Sequence, residues 1–172
     1  MSDPIGEGWI HPATTEERLE SGRELRKRVP RRSLSGLATD ARVPLAILEE
    51  QNASRLQEFV PLRRERMSQS VFAFYRGGAA LMAADLGASA HSGILLPSCG
   101  DAHISNFGFF ASPQRTLVFD LNDFDEAAWA PWEWDVKRLV ASLVLAGAET
   151  GRDDESVRLA CMRAVLSYAA AL

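Results

Sequence analysis

The chain has 172 residues, a net charge of −4 and 47% hydrophobic residues, enough for one domain with a sizeable core. This composition excludes a mostly disordered chain, and the acidic balance excludes wholesale affinity for nucleic acid or membrane. Cys99 and Cys161 make no disulfide framework, and no apolar leader or run near 18 apolar residues is present, so a soluble cytoplasmic protein is expected.

Residues 1–13, with Pro4, Gly6, Gly8 and Pro12, read as an irregular lead-in. Thr14 or Thr15 with Glu17 offers a capping box for a helix that ends near Pro30. The basic run Arg23 to Arg32 reads as a solvated helix end and linker, with a phosphate or nucleic-acid contact as the alternative. The chain therefore divides into residues 1–32, lead-in and basic helix, and 33–172, the functional unit.

Residues 42–58 are expected to be helical, with Leu45, Ile47, Leu48 and Leu56 on one side. Pro61 suits the first turn of a helix running through Met67. Val71 to Leu86 has apolar residues at helical spacing and reads largely as core. Gly77-Gly78 weakens that helix or marks a close backbone approach, and Arg76 stands out in so apolar a context. Ile94 to Leu96 is a short buried strand candidate, and residues 107–110 and 116–121 read as a hairpin around Ala111 to Gln114. Trp132 to Gly147 forms a further helix, and Asp153 or Asp154 starts a last one that runs to Leu172. Trp129, Trp132 and Trp134 are expected to pack rather than to stack on substrate. The apolar stop at Leu172, with no Gly cap, reads as a longer architecture cut short.

Two segments carry the chemistry. Asp101, His103 and Asn106 follow Gly100 on a short loop, and Asp120, Asp123 and Asp125 follow the apolar run Leu117 to Phe119. Such hard oxygen ligands suit Mg²⁺ or Mn²⁺. Four carboxylates buried together would repel one another, so a metal or a water-filled cleft is expected among them. Cys99-x-Asp101-x-His103 lacks the second Cys or His pair that a tetrahedral zinc site needs.

Gly100-Asp101-Ala102-His103-Ile104-Ser105-Asn106 resembles the Gly-Asp-Leu-His-x-x-Asn catalytic loop of aminoglycoside and choline phosphotransferases. Val118 to Asp123 resembles their metal-binding segment, and Trp134-Asp135-Val136 resembles the Tyr-Asp-Leu of the helix that follows. More closely, residues 28–151 resemble an uncharacterised bacterial family, domain of unknown function 2252. The matching stretches are Arg66-Met67, Phe72 to Gly77, Cys99 to Gly108, Leu117 to Glu126 and Pro131 to Leu139. Members of that family are typically much longer than this chain.

The resemblance implies an α+β fold, mostly helical, like the C-lobe of a kinase, with a small antiparallel hairpin carrying the metal site. It implies transfer of phosphate from ATP, with Mg²⁺ or Mn²⁺, to a hydroxyl on a small-molecule or protein acceptor. Asp101 would orient or deprotonate that hydroxyl, and Asn106 and Asp120 would coordinate the metal. Asp123 or Asp125 would serve a second metal or stand behind the first. His103 would orient the loop, and Asp135 would accept bonds from it or pair with an arginine. Arg76 would contact phosphate or brace the acidic residues. The chain has no Gly-x-Gly-x-x-Gly and no lysine in a Val-Ala-x-Lys-like strand, so no nucleotide-clamping residue is named and the fragment is expected to hold half of an ATP site. Two rival expectations stand beside this one. The same carboxylates would serve a metal-dependent phosphohydrolase or nucleotidyl transferase, and a pseudokinase-like fold would bind a partner without catalysis.

Overall fold

In the computed structural model, residues 13–36, 38 and 42–171 are described. The expected lead-in, apart from Ala13, lies outside them. Helix α1, Thr15–Arg28, starts as anticipated: the Thr14 side chain accepts from Glu17 N–H while the Glu17 carboxylate accepts from Thr14 N–H. Its basic last turn is solvent-exposed, with Glu20–Arg23 and Glu24–Lys27 pairs of the kind that contribute under about 1 kcal/mol each.

Helix α2, Pro44–Ala53, stops five residues short of the expected 42–58 segment. The chain turns there because Asn52 is buried and its oxygens are used by later residues: Gln57 Nε2 donates to its carbonyl and Arg63 Nη1 to its Oδ1. Helix α3, Val60–Met67, carries Pro61 in its first turn, where a missing N–H costs nothing. The expected helix over residues 71–86 is two helices, α4 Val71–Gly77 and α5 Ala79–Gly87, broken at Gly78. A Cβ on Gly77 would lie 2.6 Å from Met67 Sδ, so glycine is what lets α3 and α4 close together. Ala79, Leu81 and Leu86 are buried as expected, whereas Val71 and Phe74 are exposed.

Four strands follow: β1 Leu95–Ser98, β2 Phe107–Ala111, β3 Leu117–Leu121 and β4 Ala128–Pro131. β1 pairs antiparallel with β4, and β2 with β3. The two sheets are consecutive sections of one folded-back ribbon. It is interrupted where residues 99–106 lie opposite residues 122–127, and Asn122 N–H bridges the gap to Asn106 O at 2.8 Å. β4 was not anticipated, since its four residues end in a proline and carry no alternation. β1 is a strand but not a buried one. Leu95 is 52% exposed, because a two-stranded sheet has no second layer over both faces.

Helix α6, Glu133–Glu149, is the centre of the molecule and packs on α4, α5 and α7, Asp154–Ala170. Asp153 caps α7 by accepting from Ser156 N–H. Trp132 and Trp134 pack as expected, the former stacked on Tyr168 with ring centroids 5.9 Å apart. Trp129 does not: it is 72% exposed, on the open face of β4. The fold is α+β and mostly helical, with two small antiparallel sheets. Among the described residues no helix is long and apolar enough to cross a membrane. Arg138, Ser142, His103 and Glu133 are buried beside the apolar core, and three of the four serve the loop described next.

Candidate functional site

The loop between β1 and β2 is tied down almost residue by residue. Gly100 adopts φ +80°, and a Cβ there would fall 2.1 Å from the Glu126 carbonyl oxygen, so only glycine fits. The Asp135 carboxylate, in the first turn of α6, accepts from both Cys99 N–H (2.8 Å) and Gly100 N–H (3.0 Å). Charge-assisted bonds of this kind, made at a helix N-terminus that favours negative charge, are among the stronger ones available. Ser142 Oγ accepts from Ile104 N–H at 2.9 Å and donates to Leu139 O. Asn106 Nδ2 donates to the Asp101 carbonyl at 2.8 Å, closing the loop on itself.

Asp101 is held by a residue that the sequence reading did not single out. Arg138, 2% exposed, donates from both Nε (2.8 Å) and Nη2 to Asp101 Oδ1. Its Nη2 also donates to Tyr75 O, and its guanidinium lies 4.2 Å from the centre of the Tyr75 ring. Tyr75 Oη in turn donates to Arg138 O at 2.8 Å, and burial pushes the phenol pKa up to about 12. Arg138 sits three residues after Asp135 on one face of α6, and that i,i+3 spacing was the available signal.

His103 is 3% exposed, with Nε2 3.6 Å from Asp101 Oδ2 and its ring edge-on to Phe72. Burial pushes its pKa down; the nearby Asp101 charge opposes this, and Arg138 and Arg76 reinforce it. The native imidazole is therefore harder to protonate than an unfolded one, whose pKa is near 6.5. The unfolded chain then takes up a proton that the fold resists. This contribution to stability is complete above about pH 6.5 and is lost as pH falls through the lowered native value. Urea midpoints between pH 8 and pH 5.5 are expected to fall faster in the wild type than in His103→Gln. Parallel profiles would remove His103 as the cause.

Asp101, His103, Asn106 and Asp123 line one cavity of about 1050 Å³, and Arg76 at the end of α4 joins them. Asp120 does not. It lies within the β3 ladder opposite Gly108, exposed, with its Oδ1 accepting from Leu121 N–H. Asp123 reaches the cavity because it lies past the end of the ladder. Among the described residues, no three His, Cys, Asp or Glu side chains gather as a metal-binding group. The expected cluster of four carboxylates is thus dispersed: Asp101 is paired with Arg138, Asp120 stays in the ladder, and Asp125 is exposed, its N–H donating to Asp123 Oδ1.

Besides Asp101, two residues with hard oxygens line the cavity: Asn106, whose Nδ2 donates to the loop, and Asp123, whose Oδ1 accepts from Asp125 N–H. Asn106 and Asp123 are too few for an all-protein cage and would suit only a cation that keeps most of its waters. Cys99 is buried, donates weakly to Asp123 O at 3.2 Å, and has its thiol pKa pushed up by burial, so it braces the two connections rather than acting as a nucleophile.

No curated protein and no solved structure matches this chain. One family model does, over residues 55–172, under the description "uncharacterized protein conserved in bacteria (DUF2252)". That span takes in α3 to α7 and every residue of the site named above, and the chain belongs to this bacterial family.

Proposed function

We propose that this chain supplies the acceptor-orienting and metal-holding part of a phosphotransferase that moves phosphate from Mg-ATP to a hydroxyl. The observation that carries this reading is the convergence of Asp101, Asn106 and Asp123 on one cavity from the two opposed connections of the ribbon. Asp101 Oδ2 is the oxygen that Arg138 leaves open; it would accept the hydroxyl's hydrogen bond and take its proton. Arg138 fixes the direction of that carboxylate, and neutral His103 stands beside it as a positioning residue. Asn106 and Asp123 would hold Mg²⁺ or Mn²⁺, and a bound ion would neutralise phosphate charge. Asp120 is left out of the ligand set, and Asp135 is assigned to the loop alone. We assign the protein to the cytoplasm, where ATP is supplied and both cysteines stay reduced.

Thermal melting with Mn²⁺ and ATP tests this reading. At about 100 times the dissociation constant, ATP with Mn²⁺ is expected to stabilise the chain by about 2.7 kcal/mol, and Asp123→Asn is expected to lose that shift. ADP formation is expected to fall roughly 10²- to 10⁴-fold in Asp101→Asn, the usual contribution of a positioned base. No shift with Mn²⁺, whether ATP is present or absent, in a folded wild-type chain would overturn the proposal. Free phosphate as the sole product, with no phosphorylated acceptor, would replace it with a phosphohydrolase.

A further inference from the structure

The wall of the cavity facing the Asp101 loop is basic. Arg55, Arg63, Arg66 and Arg76 line it from the turn after α2, from α3 and from α4. Four arginines there meet only two aspartates, and one of these, Asp101, is already paired with Arg138.

The four are not equivalent. Arg63 is anchored: its guanidinium donates to Gln51 Oε1, Asn52 Oδ1 and Gly77 O, which holds it against the α2–α3 junction. Its pKa is pushed down by burial and then by the Arg55 charge, with the Glu126 charge opposing. Arg55 has one distant carboxylate, Glu126 at 3.7 Å. Arg66 and Arg76 have no carboxylate partner among the described residues. Arg55, Arg66 and Arg76 are solvent-exposed, so their guanidinium groups can reach a ligand in the cavity, and the guanidinium fork matches phosphate oxygens in pairs.

We infer that Arg55, Arg63, Arg66 and Arg76 form a phosphate-recognition subsite for a ligand carrying several phosphate oxyanions. The inference rests on the phosphotransferase reading only for its choice of phosphate over other anions. In that setting the arginines do the work for which this chain has no Gly-rich loop or strand lysine. The phosphates come either from the nucleotide or from an acceptor that is itself phosphorylated.

Calorimetric titration of the full chain with inorganic tripolyphosphate in EDTA tests the subsite without any metal. Wild type is expected to bind, Arg66→Gln/Arg76→Gln to bind at least tenfold more weakly, and Arg158→Gln, on α7 outside the cavity, to match wild type. Asp123→Asn should also bind tripolyphosphate in EDTA, so loss of the metal site and loss of the arginine subsite give different results. Displacement of Mg-ATP by tripolyphosphate would assign the subsite to the nucleotide, and simultaneous binding would assign it to the acceptor. Absence of tripolyphosphate binding by a chain shown to be folded by circular dichroism would overturn the inference. So would equal binding by the double variant.

Discussion

Replacing Arg138 with methionine is expected to cost about 3–5 kcal/mol of stability, the usual penalty for removing one partner of a buried ion pair. Methionine keeps roughly the length of the arginine stem, so packing against Tyr75 is largely retained and the loss reports on charge. What disappears is both bonds to Asp101 Oδ1, the bond to the Tyr75 carbonyl and the contact with the Tyr75 ring. The Asp101 side chain, 18% exposed, is then left without its partner on the wall of the cavity. Urea unfolding measures the change. The double variant Arg138→Met/Asp101→Leu completes the cycle, and it should recover part of the loss because no lone charge remains. A loss under about 1 kcal/mol in the single variant would mean that the pair does not hold the loop.

Gly100→Ala is expected to be comparably costly, roughly 2–6 kcal/mol, from two separate causes. A left-handed backbone at φ +80° costs a non-glycine residue about 1–3 kcal/mol, and relieving a forced contact adds a similar amount. The contact is with a carbonyl oxygen, which cannot swing aside as a side-chain end can. The loop must therefore move away from residues 122–127, carrying Asp101 and Asn106 away from Asp123. The distinguishing result is that any Mn²⁺-dependent ATP shift vanishes in Gly100→Ala even at temperatures where circular dichroism shows it folded. Retention of that shift would show that the two connections are not rigidly coupled.

What could be read beforehand divides along a physical line. Elements written in local chemistry were legible: the Thr14–Glu17 capping box, Pro61 in the first turn of α3, the β2–β3 hairpin and Asp153 at the start of α7. Elements decided by distant partners were not. The stop of α2 at Ala53 depends on Asn52 being claimed by Gln57 and Arg63, and β4 exists because β1 is there to pair with it. The site shows the same division. Asp101, His103 and Asn106 share a loop and arrive together at the cavity. Asp120 and Asp123 are alike in sequence, and only the end of the β3 ladder separates the one held in pairing from the one released. The four arginines come from α3, α4 and the turn after α2, so no single stretch of sequence displayed them as a group.

The interrupted ribbon also has two ends with opposite tolerance for change. Residues 112–116 close its far end, where Arg115 takes a positive φ and nothing from the cavity reaches. Extra residues there leave the pairing of every strand as it is, so a peptide label inserted between Pro113 and Gln114 would be carried on a stalk clear of the chemistry. Near the site the opposite holds. Removing one residue from 122–127 would slide β4 by one place along β1 and take buried Ala130 out of its place opposite Leu96. The length of that connection is therefore as much a part of the cavity as the side chains that line it.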